Sequence, residues 1–271
     1  MTERVAGKVA LVTGVARGQG RSHAVRLAEE GADIIAVDIC APLPGVPYPA
    51  ATKEDLAETV AAVEKTGRKI HAATVDTRDL TAMRTLVADG TAKFGHLDII
   101  VANAGVCIPG EWNSITPEVF EETMSVNVTG TWNTVMSGAD HLIRSGGGSI
   151  IITSSAAGLK VTPFMVPYTT SKFAVRGMAK AFAVELGRHH IRVNTVHPYG
   201  VSTPMGGDGL QAVLQPAIES NPSLGGMFTS LLPLEWAQPE DISDVVLFLA
   251  SEESKYITAH ELVPDAGVTE F

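Results

Sequence analysis

Residues 8–38 restrict the possible folds more than any other segment of this chain. Lys8-Val9-Ala10-Leu11-Val12-Thr13 reads as a short buried strand. It runs into Gly14-Val15-Ala16-Arg17-Gly18-Gln19-Gly20, and a helix-like segment follows to Glu30. Gly31 suits a helix C-terminus, and Asp33-Ile34-Ile35-Ala36-Val37-Asp38 is a second strand that ends in a carboxylate. A β-α-β unit of this kind has glycines where the backbone turns tightly and approaches a pyrophosphate at a helix N-terminus. The spacing is G-x-x-x-G-x-G. A glycine cluster alone is weak evidence, but between a strand and a helix, with an acid about 20 residues further on, it is much stronger.

Asp38 bears on the choice of nucleotide. A carboxylate there accepts hydrogen bonds from ribose hydroxyls and repels a 2′-phosphate. Arg17 argues the other way, because a guanidinium binds phosphate well. Ile39 adds no second cation. The charge balance favours NAD over NADP.

Tyr168-Thr169-Thr170-Ser171-Lys172 carries the second signal. A tyrosine and a lysine four residues apart share one helix face. That face continues through Val175, Ala179, Phe182 and Leu186 as a core-facing stripe. A lysine there is costly unless its ammonium has a partner. A phenol ordinarily titrates at about 10, and a fixed cation lowers that value. The pair therefore reads as a tuned proton acceptor; the structural alternative is a tyrosine beside a snorkelling lysine.

Two further polar residues fall near this pair. Ser155 ends the apolar strand Ile150-Ile151-Ile152-Thr153-Ser154-Ser155, and ligands in open α/β sheets bind outside the strands' carboxyl ends. Ser154 is the rival hydroxyl. Thr116 and Pro117 predict a helix N-terminus, which would put Phe120, Met124, Asn127 and Thr131 on one buried face. A buried amide such as Asn127 either caps backbone groups or holds water.

With these residues in view, the chain resembles the short-chain dehydrogenase/reductase family from Lys8 to about Gly267. Thr13-Gly14-Val15-Ala16-Arg17-Gly18-Gln19-Gly20 matches the family's T-G-x-x-x-G-x-G, and Asn103-Ala104-Gly105 its N-A-G. Asp76, followed by Thr77, looks like the residue that contacts adenine. Asn127, Ser155, Tyr168 and Lys172 match the catalytic tetrad in identity and order, with Ser155 thirteen residues before the tyrosine. His197-Pro198-Tyr199-Gly200-Val201-Ser202-Thr203 is similar to the family's P-G-x-x-x-T, except that Tyr199 separates proline from glycine. By resemblance, Val201 and Thr203 contact the nicotinamide amide and Asn127 supports a water relay. The implied architecture is a single Rossmann-type, doubly wound α/β domain. Its seven-stranded parallel sheet has the order 3-2-1-4-5-6-7 and is flanked by helices, with strands near 8–13, 33–38, 70–75, 97–102, 149–154, 191–196 and 260–263.

Composition fits this plan. The 271 residues, 45% of them hydrophobic, continue the strand-and-helix pattern with no linker or repeat. No apolar run is long enough to span a bilayer, and Met1-Thr2-Glu3-Arg4 has no signal-peptide core, so a cytoplasmic location is expected. A formal net charge of −10 argues against nucleic-acid binding. Cys40 and Cys107 give no disulfide framework, and the eight histidines form no metal-binding spacing. No catalytic metal is expected. Cys107 follows the N-A-G segment, where it packs as a small buried hydrophobe or lines a substrate site.

Two regions depart from a minimal plan. Residues 39–52, with four prolines, form a stiff insertion that starts beside the expected adenosine site. This insertion and the Ala16–His23 segment resemble the mycofactocin-associated, carveol dehydrogenase-like branch of the family. That resemblance implies NAD held without exchange and an external electron acceptor. Residues 204–236 combine glycines with apolar side chains and suggest a lid over an apolar ligand. The expected reaction interconverts a hydrophobic secondary alcohol and its ketone. An NADP-dependent carbonyl reductase and a catalytically silent cofactor-binding scaffold are the alternatives. Small and apolar residues on several faces of the Tyr168 helix (Ala174, Gly177, Met178, Ala181) point to burial between subunits; the resemblance implies a homotetramer.

Overall fold

A computed structural model describes residues 3–234 and 236–270. Met1 and Thr2 of the N-terminal segment read above, and Glu235 of the expected lid, lie outside the described residues. The strands are β1 (Val9–Thr13), β2 (Asp33–Asp38), β3 (Ile70–Thr74), β4 (Ile99–Ala102), β5 (Gly148–Thr153), β6 (Ile191–Val196) and β7 (Glu261–Leu262). The helices between and after them are α1 (Gly18–Glu29), α2 (Lys53–Lys65), α3 (Leu80–Phe94), α4 (Pro117–Met124), α5 (Gly130–Arg144), α6 (Val166–Leu186), α7 (Asp208–Ser220) and α8 (Pro239–Ala250). All strand pairs are parallel, in the order β3-β2-β1-β4-β5-β6-β7.

The strands are apolar throughout because both sheet faces are covered. Alternate residues serve opposite layers. Ala10, Val12, Ile34, Ala36, Ile99 and Val101 pack against α1 and α8 through Ala24, Leu27, Ile242 and Val246. Val9, Leu11, Ile35, Val37, Ile100 and Ile150 face α3, α5 and α6 through Met83, Val87, Val135, Leu142 and Val175. Each fully buried aliphatic side chain contributes about 1.5–3 kcal/mol, so the sheet that positions the site is the stable part of the molecule. Among the described residues, no helix is long and apolar enough to cross a membrane.

The expected helix from Thr116 starts as predicted, with Thr116 Oγ1 accepting from Val119 N–H. It does not continue as one α-helix. Ser125–Thr129 form a π-helical turn between α4 and α5, and the extra residue in that turn rotates the preceding segment. Asn127 and Thr131 are buried, but Phe120 is 39% exposed and is not on their face. The α6 stripe is also narrower than its spacing suggests: Val175 and Ala179 are buried, while Phe182 and Leu186 are only half-buried.

Candidate active site

A cavity of about 970 Å³ opens at the carboxyl ends of the central strands, and every predicted site residue except Asn127 lines it. On one side, β1 delivers the chain to the glycine turn. A Cβ on Gly20 would stand 2.0 Å from the Gly14 carbonyl oxygen, and one on Gly14 would stand 3.0 Å from Ala104 Cα. Only glycine permits this approach. The turn is tied to Asn103-Ala104-Gly105 by Thr13, whose Oγ1 accepts from both Asn103 N–H and Ala104 N–H at 3.0 Å. Gly18 then opens α1, and its first residues Gly18, Gln19 and Gly20 line the cavity.

Asp38 ends β2 with both oxygens accepting backbone N–H groups, from Ala16 at 2.9 Å and Cys40 at 3.0 Å. Its charge is therefore fixed at the cavity edge. Asp76 faces the same cavity with Arg78 Nη2 at 2.6 Å. Burial pushes the Asp76 carboxyl up, but the hydrogen bonds from Arg78 outweigh it and hold the group below its ordinary value. Thr77 is buried, with its carbonyl accepting from Asn133 Nδ2 at 2.9 Å.

Ser155, Tyr168 and Lys172 stand together on the same cavity. Ser155 follows β5 beside Tyr168; its hydroxyl donates to the Pro198 carbonyl at 3.4 Å and accepts from Ala157 N–H at 3.1 Å. Ser154, the rival, donates to the Lys172 carbonyl at 3.0 Å and is tied to the helix backbone. Lys172 Nζ donates to the Thr153 carbonyl at 2.8 Å and lies 5.5 Å from the Tyr168 ring centre. The expected lowering of the phenol is not what the chain alone produces. Burial, and then the neighbouring Cys107 thiol, push Tyr168 well above its ordinary value; the Ser155 hydroxyl works against them. Burial also pulls the Lys172 ammonium down to about 8.

That depression gives a pH signature. Below pH 8 the ammonium is charged in both folded and unfolded chains, and its burial cost is present in full. Between about 8 and the ordinary 10.5 the folded protein has lost this proton while the unfolded chain keeps it, so stability rises with pH across that window. In urea titrations without added nucleotide, wild type is expected to gain on Lys172→Met by up to about 3 kcal/mol between pH 8 and 10.5. A difference that is flat with pH contradicts the assignment.

The Asn127 side chain caps backbone groups. Its Oδ1 accepts from Val106 N–H at 2.8 Å, and its Nδ2 donates to the Val106 carbonyl and Ser171 Oγ, both at 2.9 Å. With its amide protons engaged, the side chain fixes the backbone after N-A-G and does not line the cavity. Val201 pairs with Ala237 in an isolated bridge, and Thr203 packs beside Gly18. The extra Tyr199 is absorbed by Gly200, at φ +48°, and its hydroxyl donates to the Phe228 carbonyl at 2.9 Å. Among the described residues, no group of three or more His, Cys, Asp and Glu could hold a metal ion.

The insertion is not confined to the adenosine end. Arg17, weighed above as a phosphate ligand, donates instead to the carbonyls of Pro49 and Ala50. Cys107 N–H donates to Tyr48 Oη at 3.1 Å. A Cβ on Gly209 of α7 would stand 2.1 Å from the Pro47 carbonyl oxygen, so insertion and lid meet backbone to backbone. Beneath that seam, Cys107, Met165, Leu210 and Leu214 form an apolar cluster with Tyr168, Met205, Ile218 and Phe228 packed against it. Leu231, Leu232 and Leu234, further along the lid, are more than half exposed.

Sequence reasoning missed Tyr48 and the role of His197. His197 is buried, with Nδ1 2.8 Å from the Ser155 carbonyl and Nε2 2.8 Å from Thr195 Oγ1. Burial pulls this imidazole down to about 4, so it holds the Ser155 backbone as a neutral group. No residue spacing announces either contact.

A doubly wound sheet with a glycine cradle and a Ser-Tyr-Lys group sharing one cavity sets the class, and the short chain dehydrogenase family model matches residues 8–212. The chain belongs to this family. It is similar to a short chain dehydrogenase from Mycobacterium paratuberculosis whose structure was solved bound to NAD, with 56% identity and a TM-score of 0.98 over 99% of this chain and 100% of that one. Carveol dehydrogenase from Mycobacterium avium, solved in complex with NAD, is 47% identical with a TM-score of 0.93 over 99% of each chain. The (−)-trans-carveol dehydrogenase of Rhodococcus erythropolis is 40% identical over 274 residues, 98% of this chain and 99% of that protein.

Proposed function

We propose that this chain is an NAD-dependent oxidoreductase that interconverts a hydrophobic secondary alcohol, a terpenoid such as carveol or a similar molecule, and its ketone. One observation carries the reading: Tyr168, Ser155 and Lys172 share a cavity with an Asp38-ended glycine cradle and an apolar chamber. The cradle fits a dinucleotide, since Gly14 and Gly20 let the turn close tightly on itself and Gly14, Gly18, Gln19 and Gly20 line the cavity. Asp38 would hold the ribose hydroxyls, and the α1 N-terminus the pyrophosphate. The relatives bound to NAD support the same cofactor. The rival NADP reading loses its phosphate ligand, because Arg17 is engaged by the insertion.

NAD, when bound, supplies the ring carbon that takes hydride and a positive charge close to the reacting groups. Tyr168 Oη receives the proton of the substrate hydroxyl as phenolate. Ser155 Oγ hydrogen-bonds the reacting oxygen and Tyr168 together. Lys172, anchored on the Thr153 carbonyl, supplies positive charge beside the ring. The apolar chamber excludes water and selects uncharged substrates. The insertion supports a branch in which NAD stays bound and an external, mycofactocin-type acceptor removes the electrons, in the cytoplasm.

A panel of terpenoid, steroid and aliphatic alcohols, run with free NAD and with an artificial electron acceptor, tests this. Oxidation of at least one secondary alcohol is expected, with NAD bound more tightly than NADP. A chain that binds nucleotide but oxidises no alcohol is the silent scaffold instead. We also propose a homotetramer, supported by apolar side chains left exposed on α5 and α6. Trp132 is 44% exposed and stacks on Phe182, and Val184 is 81% exposed. Light scattering at micromolar concentration is expected to give four times the chain mass; a monomer contradicts it.

A further inference from the structure

We propose that Tyr48 binds substrate, donating its phenolic proton to a second oxygen, distinct from the oxygen that reacts at Tyr168. The inference rests on the alcohol–ketone reading above and adds that the preferred substrates carry two oxygens, as diols or hydroxyketones.

The hydrogen bonding of Tyr48 is half complete. Its Oη accepts from Cys107 N–H at 3.1 Å, but no described residue accepts its proton. Burial pushes the phenol above its ordinary range, so it stays protonated and acts as a donor. Tyr48 is half-buried, and its free donor stands on the cavity wall, where a ligand that displaces water must supply an acceptor or leave the proton unpaired. It faces the same cavity as Tyr168 and Ser155, so a bound molecule can complete it.

The position of Tyr48 selects substrate over cofactor. Its anchor, Cys107, belongs to the apolar cluster with Met165, Leu210 and Leu214, and Tyr168 packs against that cluster. A Cβ on Gly209 of the lid would stand 3.1 Å from Tyr48 Cα. Contact with the glycine turn is made by the next residues, Pro49 and Ala50, through Arg17. The tyrosine thus sits where insertion, lid and chamber meet. An alcohol with one oxygen satisfies Ser155 and Tyr168 and leaves Tyr48 unpaired; a second oxygen satisfies it. A site with a buried hydrogen-bonding group discriminates against the analogue that lacks the partner.

Calorimetric titration of the NADH-loaded protein, which cannot oxidise an alcohol, with cyclohexanol and with the 1,2-, 1,3- and 1,4-cyclohexanediols tests this. At least one diol is expected to bind wild type ~10-fold more tightly than cyclohexanol. In Tyr48→Phe, which keeps the ring and whose fold is checked by its melting profile, that ratio should fall to about 1. A wild-type ratio near 1 for every diol, no binding of any of the four, or a ratio unchanged in Tyr48→Phe overturns the proposal. Faster NAD loss in Tyr48→Phe with an unchanged ratio assigns the proton to the cofactor and also overturns it. The binding ratio is read without turnover, so a wild type that discriminates yet oxidises none of these alcohols counts against the alcohol–ketone reading and not against Tyr48.

Discussion

Tyr168→Phe is expected to lower alcohol oxidation by about 10²–10⁴-fold while folding and NAD binding are retained. The substitution removes one oxygen and leaves the ring in the wall formed with Met165 and Leu210. Packing is therefore nearly unchanged, and proton transfer by a positioned side chain ordinarily contributes about 10²–10⁴-fold. Ser155 Oγ keeps Ala157 N–H at 3.1 Å and the Pro198 carbonyl at 3.4 Å, so the strand end should hold its shape. Single-turnover measurement of NADH absorbance with a secondary alcohol reads the chemical step directly. Near-normal rates in the variant would remove Tyr168 from the reaction. Lys172→Met should lose turnover as well, and should weaken NAD binding, since the ammonium stands beside the N-A-G segment: a Cβ on Gly105 would be 3.7 Å from its Nζ. The contrast between the two variants separates a proton acceptor from a group that also serves the cofactor.

The sheet and most of the site were legible because they rest on local rules. β1, β2 and the glycine turn are contiguous in sequence, and their alternation of layers follows from strand geometry. Tyr168 and Lys172 meet because they are one helical turn apart. What the sequence hid was tertiary or irregular. The π-turn at Ser125–Thr129 leaves no periodic mark, so helical spacing puts Phe120 on a face it does not share with Asn127. Asn127 could be placed inside, but only coordinates reveal Val106 and Ser171 as its partners. The direction of the Tyr168 shift depends on burial, which spacing does not measure. Arg17 illustrates the same limit: its charge was visible, while its partners, the Pro49 and Ala50 carbonyls, lie more than 30 residues away.

Deleting residues 42–49 is expected to release the cofactor that wild type retains. Purified wild-type protein should keep bound NAD(H) through dialysis, because the insertion is fastened at three places. Arg17 holds it at the cofactor turn, Cys107 N–H holds Tyr48, and Pro47 lies against Gly209 of the lid. Release then requires these contacts to open together, which makes closure a kinetic gate and not a chemical device. The deletion removes the second and third fastenings and the Pro49 half of the first. At on the order of 1 kcal/mol for a hydrogen bond, and as much again for the seam, NAD exchange should quicken by at least about tenfold. Stopped-flow displacement of bound NADH, or retained absorbance at the nucleotide bands after gel filtration, measures it. A coupled expectation distinguishes gating from simple affinity. Wild type should turn over repeatedly with an artificial acceptor but scarcely with added NAD, since reduced cofactor cannot leave. The deletion should narrow that gap, because Tyr168, Ser155 and Lys172 are positioned by β5 and α6 and not by the insertion. Wild-type protein that emerges free of nucleotide and cycles readily with free NAD would refute retention while leaving the family and the alcohol chemistry untouched.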